Sequence, residues 1–242
     1  MTPNEFIESL KEQHLVLSDL QLKQFKDYLT FLIDYNQKVN LTAITDPADI
    51  WIKHFYDSIT PLFFLPISDK KFSMIDVGSG AGFPSVPLKI FNSKIDLTLL
   101  DSLQKRIDFL DLLIEKLSLT SVHTLHGRAE DFGQDRIYRE KFDFAIARAV
   151  ANTNTLLELL LPFLKIGGKA ILMKSEYSEK DLSSSKKALL ELGGRFNDIF
   201  SFDLPNGDRR SLVIIDKVAK SKNKYPRKAG TPKRSPIGGK NG

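Results

Sequence analysis

Asp76, Gly78, Gly80 and Gly82 fall within seven residues, directly after the apolar run Met74-Ile75 and directly before Phe83-Pro84. An acid and alternating glycines between a strand and a helix start form the arrangement that seats a nucleotide-like cofactor at the carboxyl end of a parallel sheet. Glycine lets the backbone approach a ligand closely. Three more groups are placed to share such a site. Asp101 ends the next apolar run, Ala129-Glu130 follows the one after, and Arg148 closes a fourth. Lys53 and His54 lie on a helix upstream, on faces other than its apolar stripe. They can face a substrate cleft or sit on a solvated surface.

The glycine spacing discriminates between cofactors. A dinucleotide fingerprint needs glycine at its sixth position; counted from Gly78, that position is Phe83. The match is to Gly-x-Gly-x-Gly, which suits S-adenosylmethionine (SAM) better than NAD. SAM has no phosphate, and its sulfonium and amino groups are cationic, so the Asp76 carboxylate favours it. Asp101 can accept two ribose hydroxyls or cap the helix that follows. Glu130 stands where an adenine edge lies, or caps a local turn. Arg148 is expected beside the methyl donor, since an arginine at a strand end must be solvated or paired.

The elements that position these groups can be read from periodicity. Residues 4–34 are largely helical, with a restart at the capping box Ser18-Asp-Leu-Gln21. Asp46-Pro47-Ala-Asp49 starts another helix, with Ile50, Trp51, Phe55, Ile59 and Leu62 as its apolar stripe. From Phe72, strands at 72–77, 97–101, 122–125, 142–147 and 170–174 alternate with helices, and Gly167-Gly168 are read as the break before the fifth. After a helix at 180–192, runs at 197–203 and 211–218 are joined by Pro205-Asn-Gly207-Asp208 with no helix between them, a hairpin. The expected fold is α/β: a seven-stranded Rossmann-like sheet of the SAM-dependent methyltransferase kind with a terminal β-hairpin. Residues 1–66 form an N-terminal helical extension packed on the core, 67–220 the SAM-binding core, and 221–242 a basic flexible tail.

Composition limits the chemistry. Of 242 residues, 42% are hydrophobic and 27% charged, as in ordinary globular proteins. The absence of cysteine removes disulfides, thiolate metal sites and cysteine nucleophiles, and no metal centre is expected. No apolar run approaches a membrane span, which points to the cytosol, and a monomer is expected. The net charge of +5 is uneven: nine Lys or Arg and no acid lie between Lys217 and Gly242, leaving residues 1–216 with 26 bases against 30 acids. A basic segment on a mildly acidic body fits a polyanion, nucleic acid first. Arg227, Lys228, Lys233 and Arg234, with Arg209 and Arg210 at the hairpin turn and Lys53, are the expected phosphate contacts.

With these residues in view, the sequence resembles the bacterial small-subunit ribosomal RNA guanine-N7 methyltransferase family, also called glucose-inhibited division protein B. The resemblance covers nearly the whole chain. It rests on Asn40-Leu-Thr-Ala-Ile44, His54 with Asp57-Ser58, and Asp76 to Pro84. It continues through Leu100-Asp-Ser102 with Lys105-Arg106, Gly127 to Asp131, Ala147 to Ala151, and Tyr225 to Pro232. Lys53 departs from the pattern, which has Arg before the histidine; charge is kept and a bidentate donor lost. The resemblance implies SAM contacts at Gly78, Phe83, Ala129, Glu130 and Arg148, and a single guanine of 16S ribosomal RNA, naked or in the small subunit, as substrate.

The chemistry can be checked by exclusion. Methylation at pyrimidine C5 usually uses a cysteine nucleophile, and there is none. Exocyclic-amine methylation goes with an (Asn/Asp)-Pro-Pro-aromatic motif, where this chain has Ala147-Arg-Ala-Val-Ala-Asn152. Guanine N7 has an available lone pair, so alignment and electrostatics suffice. No catalytic base is therefore assigned; Arg148 and His54 are the candidates for a catalytic role. A small-molecule SAM methyltransferase and a non-catalytic RNA-binding assembly factor remain as alternatives.

Overall fold

The structure is a computed structural model, and it describes residues 1–65, 71–148 and 151–239. Helices α1 (Pro3–Glu12) and α2 (Asp19–Asn36) open the chain. They are followed by α3 (Pro47–Ile50), a π-helical turn (Trp51–Tyr56), α4 (Asp57–Ile59) and α5 (Pro61–Phe64). Strands and helices then alternate: β1 (Phe72–Val77), α6 (Ser85–Phe91), β2 (Ile95–Asp101), α7 (Gln104–Lys116), β3 (Val122–His126), α8 (Ala129–Phe132), β4 (Phe142–Arg148), α9 (Thr153–Leu160) and β5 (Leu164–Lys174). The last elements are α10 (Glu179–Leu192), the hairpin β6 (Gly194–Asp203) and β7 (Arg209–Lys217), and a short α11 (Thr231–Arg234).

The seven strands lie in the order β3-β2-β1-β4-β5-β7-β6. β1 to β5 run parallel to one another, and β7 runs antiparallel to both β5 and β6. The order reverses between β1 and β4, which opens a crevice at their carboxyl ends.

The expected caps form. Ser18 and Gln21 make the capping box of α2, and Asp46 accepts the Asp49 amide at the start of α3. Gly193, at φ +71, ends α10 in the left-handed conformation that glycine tolerates best. At the hairpin turn the Leu204 amide donates to the Asp208 carbonyl at 2.9 Å. Of the strand starts, that of β5 moves furthest: it begins at Leu164, and Gly167-Gly168 lie inside it. Phe142 pairs with Leu164 and Phe144 with Lys169, so residues 165–168 loop out of the ladder there, with Gly167 at φ +89.

The N-terminal helices are part of the main core. Phe6, Phe25, Trp51 and Phe55 are buried, with ring centroids of Phe6–Trp51 4.9 Å, Trp51–Phe55 5.0 Å and Phe25–Phe55 5.1 Å apart. Polar groups of α2 fix its position. Gln21 donates to the Ile90 and Phe91 carbonyls, Gln24 to Leu117, and the Tyr28 hydroxyl to the Ala81 carbonyl inside the glycine turn. The expected boundary at 66/67 lies outside the described residues.

The tail is not the loose segment its composition suggested. Tyr225, Pro232 and Ile237 are buried. Residues 221–239 have little regular structure, so side chains of the body meet their backbone carbonyls. Arg139 donates to Ser221 and Tyr225, Gln134 to Asn223 and Pro226, Thr155 to Pro232, and Asn154 to Ile237. Residues 221–239 thus form a strap across the helices on one face of the sheet. Its end at 240–242 lies outside the described residues.

Candidate cofactor and substrate site

A cavity of about 530 Å³ opens at the carboxyl ends of β1, β2 and β4, within the range of small-molecule sites. Gly78, Gly80, Phe83, Asp101, Glu130 and Arg148 all line it, as does Ala129. The turn is built by backbone bonds: the Gly78 amide donates to the Leu100 carbonyl at 2.8 Å, and the Gly82 amide to Ser79 at 2.8 Å. Gly80 sits at φ +59, and a side chain there would meet only the Gly78 carbonyl, at 4.0 Å, leaving a cradle that a ligand can approach. Gly82 does not line the cavity. A Cβ there would come within 2.8 Å of the Tyr28 hydroxyl and Val86, so this glycine is required by packing between α2 and α6.

Asp101 is buried and fully engaged. It accepts from the Gly80 amide at 2.9 Å, the Leu103 amide at 3.0 Å and Arg106 at 3.1 Å. Its carboxylate ties the glycine turn to the end of β2 and also meets the amide before α7, the contact expected of a helix cap. Glu130 is buried in α8 and accepts the strap amide of Gly230 at 2.8 Å. Asp76 lies behind the turn. It is fully buried, and neither oxygen meets a hydrogen-bond partner in normal geometry. Burial pushes its carboxyl up to about 7, against weaker lowering by Ser85 and Arg148.

The opposite wall comes from the N-terminal region. The π-helical turn brings His54 inward, 7% exposed, and Asp57 beneath it, 4% exposed; π-turns often mark functional sites. The His54 ring contacts Thr42 Oγ1 at 2.9 Å through Nε2 and Arg148 Nη2 at 3.2 Å through Nδ1. Nδ1 also lies 3.2 Å from the Lys53 carbonyl, so it sits between a group that only donates and one that only accepts. Burial, and then the Arg148 charge, lower the His54 pKa to about 3, which keeps the ring neutral. Arg148 also donates to the Lys53 carbonyl at 3.0 Å and to Asp57 at 3.1 Å, and its guanidinium lies 5.2 Å from the centre of the Phe83 ring.

The expected phosphate contacts divide. Lys53 pairs with Asp49, Arg209 with Asp203, Arg210 with Asp57 and Asp208, and Arg227 with the fully buried Glu158. Among the described residues, Lys228, Lys233 and Arg234 are exposed and within ion-pair distance of no carboxylate, and Lys233 lines the cavity. Lys53 does not reach the cavity lining; its backbone carbonyl, not its ammonium, serves the site. Sequence reasoning passed over Asp57, Glu158 and Arg128, which is exposed and lines the cavity. Only their place inside motifs quoted above marked Asp57 and Arg128, and nothing local marked Glu158.

Comparison with known proteins identifies the family. A family model described as "GidB: rRNA small subunit methyltransferase G" matches residues 21–212. A curated protein of Oenococcus oeni named ribosomal RNA small subunit methyltransferase G is 62% identical over 99% of each chain. One of that name from Lactococcus lactis subsp. lactis is 50% identical over 98% of this chain and all of its own. A solved SAM-dependent methyltransferase from Aquifex aeolicus shares the fold, with a TM-score of 0.52 at 19% identity over 77% of this chain and 98% of that one. On the match across residues 21–212 and the near full-length relatives, the chain belongs to the GidB family of small-subunit rRNA methyltransferases.

Proposed function

We propose that the protein transfers the methyl group of SAM to N7 of one guanine in 16S ribosomal RNA, in the cytosol. The carrying observation is the character of the wall around Arg148. The histidine there is buried against a guanidinium that holds its pKa near 3, and the nearby Asp57 carboxylate is held by two arginines. Neither group is free to remove a proton. Guanine N7 loses none before attack, so this wall suits that acceptor.

The cavity's residues fit SAM. Its size, the bare backbone at Gly80 and the buried carboxylates of Asp101 and Glu130 suit a ligand with a ribose, an adenine and cationic groups. When bound, SAM supplies an electrophilic methyl carbon on a positively charged sulfur. Gly78 and Gly80 would hold it against the end of β1, Asp101 would face its ribose, and Ala129 and Glu130 its adenine. Phe83, fixed by His54 and Arg148, forms an aromatic floor that excludes water and orients the reacting groups. The target base must be unstacked to reach such a cavity, and the unpaired cations Lys228, Lys233 and Arg234 would hold its phosphates.

The test is incubation of purified protein and labelled SAM with small-subunit RNA, intact subunits and partly assembled subunits, followed by mass mapping of modified nucleotides. One N7-methylguanosine is expected. No label in any of the three substrates overturns the reading.

A further inference from the structure

The strap reaches the cavity, and its attachment is more specific than a packed tail requires. Three bonds join Arg227 to Glu158 of α9: the amide and Nε donate to Oε1 at 2.9 Å each, and Nη2 donates to Oε2 at 2.6 Å. Glu158 is fully buried beneath them. Removing one partner of a buried ion pair is costly, so these bonds hold the strap firmly to α9. Three residues further on, Gly230, at φ +81, gives its amide to the cavity carboxylate of Glu130 at 2.8 Å. Thr155 holds the Pro232 carbonyl at 3.0 Å. Gly230, Pro232 and Lys233 consequently form part of the cavity lining.

We propose that the strap is a working wall of the methyl-donor cavity, and that Glu158 and Arg227 are positioning residues that act through it. Their ion pair registers residues 227–234 against α9, which sets Gly230 on Glu130 and Lys233 at the cavity rim. The strap thereby serves both ligands: it completes the cofactor pocket through Glu130 and presents Lys233 to the phosphates of the RNA strand that enters beside it. Arg227 is thus an anchor for the strap rather than an RNA contact, a reassignment forced by its three bonds to one buried carboxylate. This inference rests on the reading of the cavity as a SAM site and of RNA as the acceptor.

The test compares wild type, Arg227→Met, Glu158→Gln and Lys233→Ala by SAM calorimetry, by methylation kinetics on small-subunit RNA, and by trypsin cleavage within 222–234. Arg227→Met and Glu158→Gln should expose the strap to trypsin, weaken SAM binding about tenfold and raise the RNA KM, with kcat within about twofold of wild type. Lys233→Ala, an exposed change that leaves the anchor intact, should leave SAM binding near wild type. It should raise the RNA KM and lower the slope of log affinity against log salt by about 1. In wild type, SAM should protect the strap from trypsin. That protection and the Lys233→Ala result decide the matter if the anchor variants do not fold. Strap release with SAM affinity and RNA KM both unchanged overturns the proposal, as does an unaltered RNA KM in Lys233→Ala. Wild type that binds no SAM at all removes the cavity reading itself and this proposal with it.

Discussion

His54 stacks on Phe83, with ring centroids 4.4 Å apart and planes inclined at 18°. Tyr28 of α2 stacks on the same phenyl ring at 5.2 Å and 9°. Two side chains from the N-terminal helical region therefore define where the ring after the glycine turn lies. The extension contributes Leu41, Thr42 and His54 to the cavity wall and packs against its aromatic floor.

Truncating that ring should show the dependence. Phe83→Ala removes a buried aromatic, 6% exposed, and should cost about 3–5 kcal/mol of folding stability. Phe83→Leu keeps most of the volume but loses the stacking, and should cost less. Urea unfolding monitored by Trp51 fluorescence measures both, since Trp51 packs on Phe55 at 5.0 Å within the same core. A cost under about 1 kcal/mol for Phe83→Ala would mean that the ring is not anchored by its stack.

His54 gives a pH prediction. Burial and Arg148 hold its pKa near 3, below the ordinary 6.5, so the folded state resists a proton that the unfolded chain accepts. The stability contributed by this neutral ring is present above pH 6.5 and lost as pH falls toward 3. His54→Gln should therefore lose less stability than wild type between pH 6.5 and pH 4. The rate profile of the wild type should show no limb near 6.5 from this residue. A limb near 6.5 that disappears in His54→Gln contradicts the neutral assignment.

Asp76 should behave in the opposite sense. Its carboxyl is raised to about 7 from 3.8, chiefly by burial, so the folded state keeps a proton that the unfolded chain releases. Its contribution to stability is full below about 3.8 and is lost as pH rises through about 7. Asp76→Asn, neutral and nearly isosteric, should gain on wild type in thermal melts between pH 5 and pH 8. A cationic ligand in the adjoining cavity favours the carboxylate, so SAM binding by wild type at pH 6.5 should release protons. Calorimetry in buffers of different ionisation enthalpy reads that release, and Asp76→Asn should abolish it. Equal proton release in both proteins would place the titrating group elsewhere.

The sequence shows most clearly what is determined locally. The Ser18 and Asp46 caps, the glycine turn and the terminal hairpin depend on residues within a few positions of each other, and each is found where the sequence reading put it. Contacts across long separations are a different matter. Glu158 and Arg227 are 69 residues apart, and Glu130 and Gly230 are 100 apart. Read alone, nine cations without an acid look like a solvated tail. The acids that pair with three of them, Glu191 with Lys222 and Lys224 and Glu158 with Arg227, lie in helices whose adjacency only the fold supplies. Gly82 makes the same point within the motif itself. Its spacing reads as ligand binding, yet the atoms that demand a glycine there belong to Tyr28 and Val86.

Asp57 offers the sharpest test of how the site is held. One oxygen accepts from Arg148 at 3.1 Å and the other from Arg210 of β7 at 3.2 Å, and all three side chains are largely buried. Arg210 is thus a partner in a buried bridge rather than a free phosphate contact. Asp57→Asn leaves two partly buried guanidiniums without their shared anion and should cost about 3–5 kcal/mol. It should also turn Arg148 away from Phe83, lowering kcat more than it raises the SAM dissociation constant. Adding Arg210→Gln removes one of the two unbalanced charges, so the double variant should recover part of the lost stability and more of the kcat. A double-variant cycle by urea unfolding and single-turnover methylation measures both. If the two changes are simply additive in stability, Arg210 is not coupled to Asp57, and the bridge does not hold Arg148 in place.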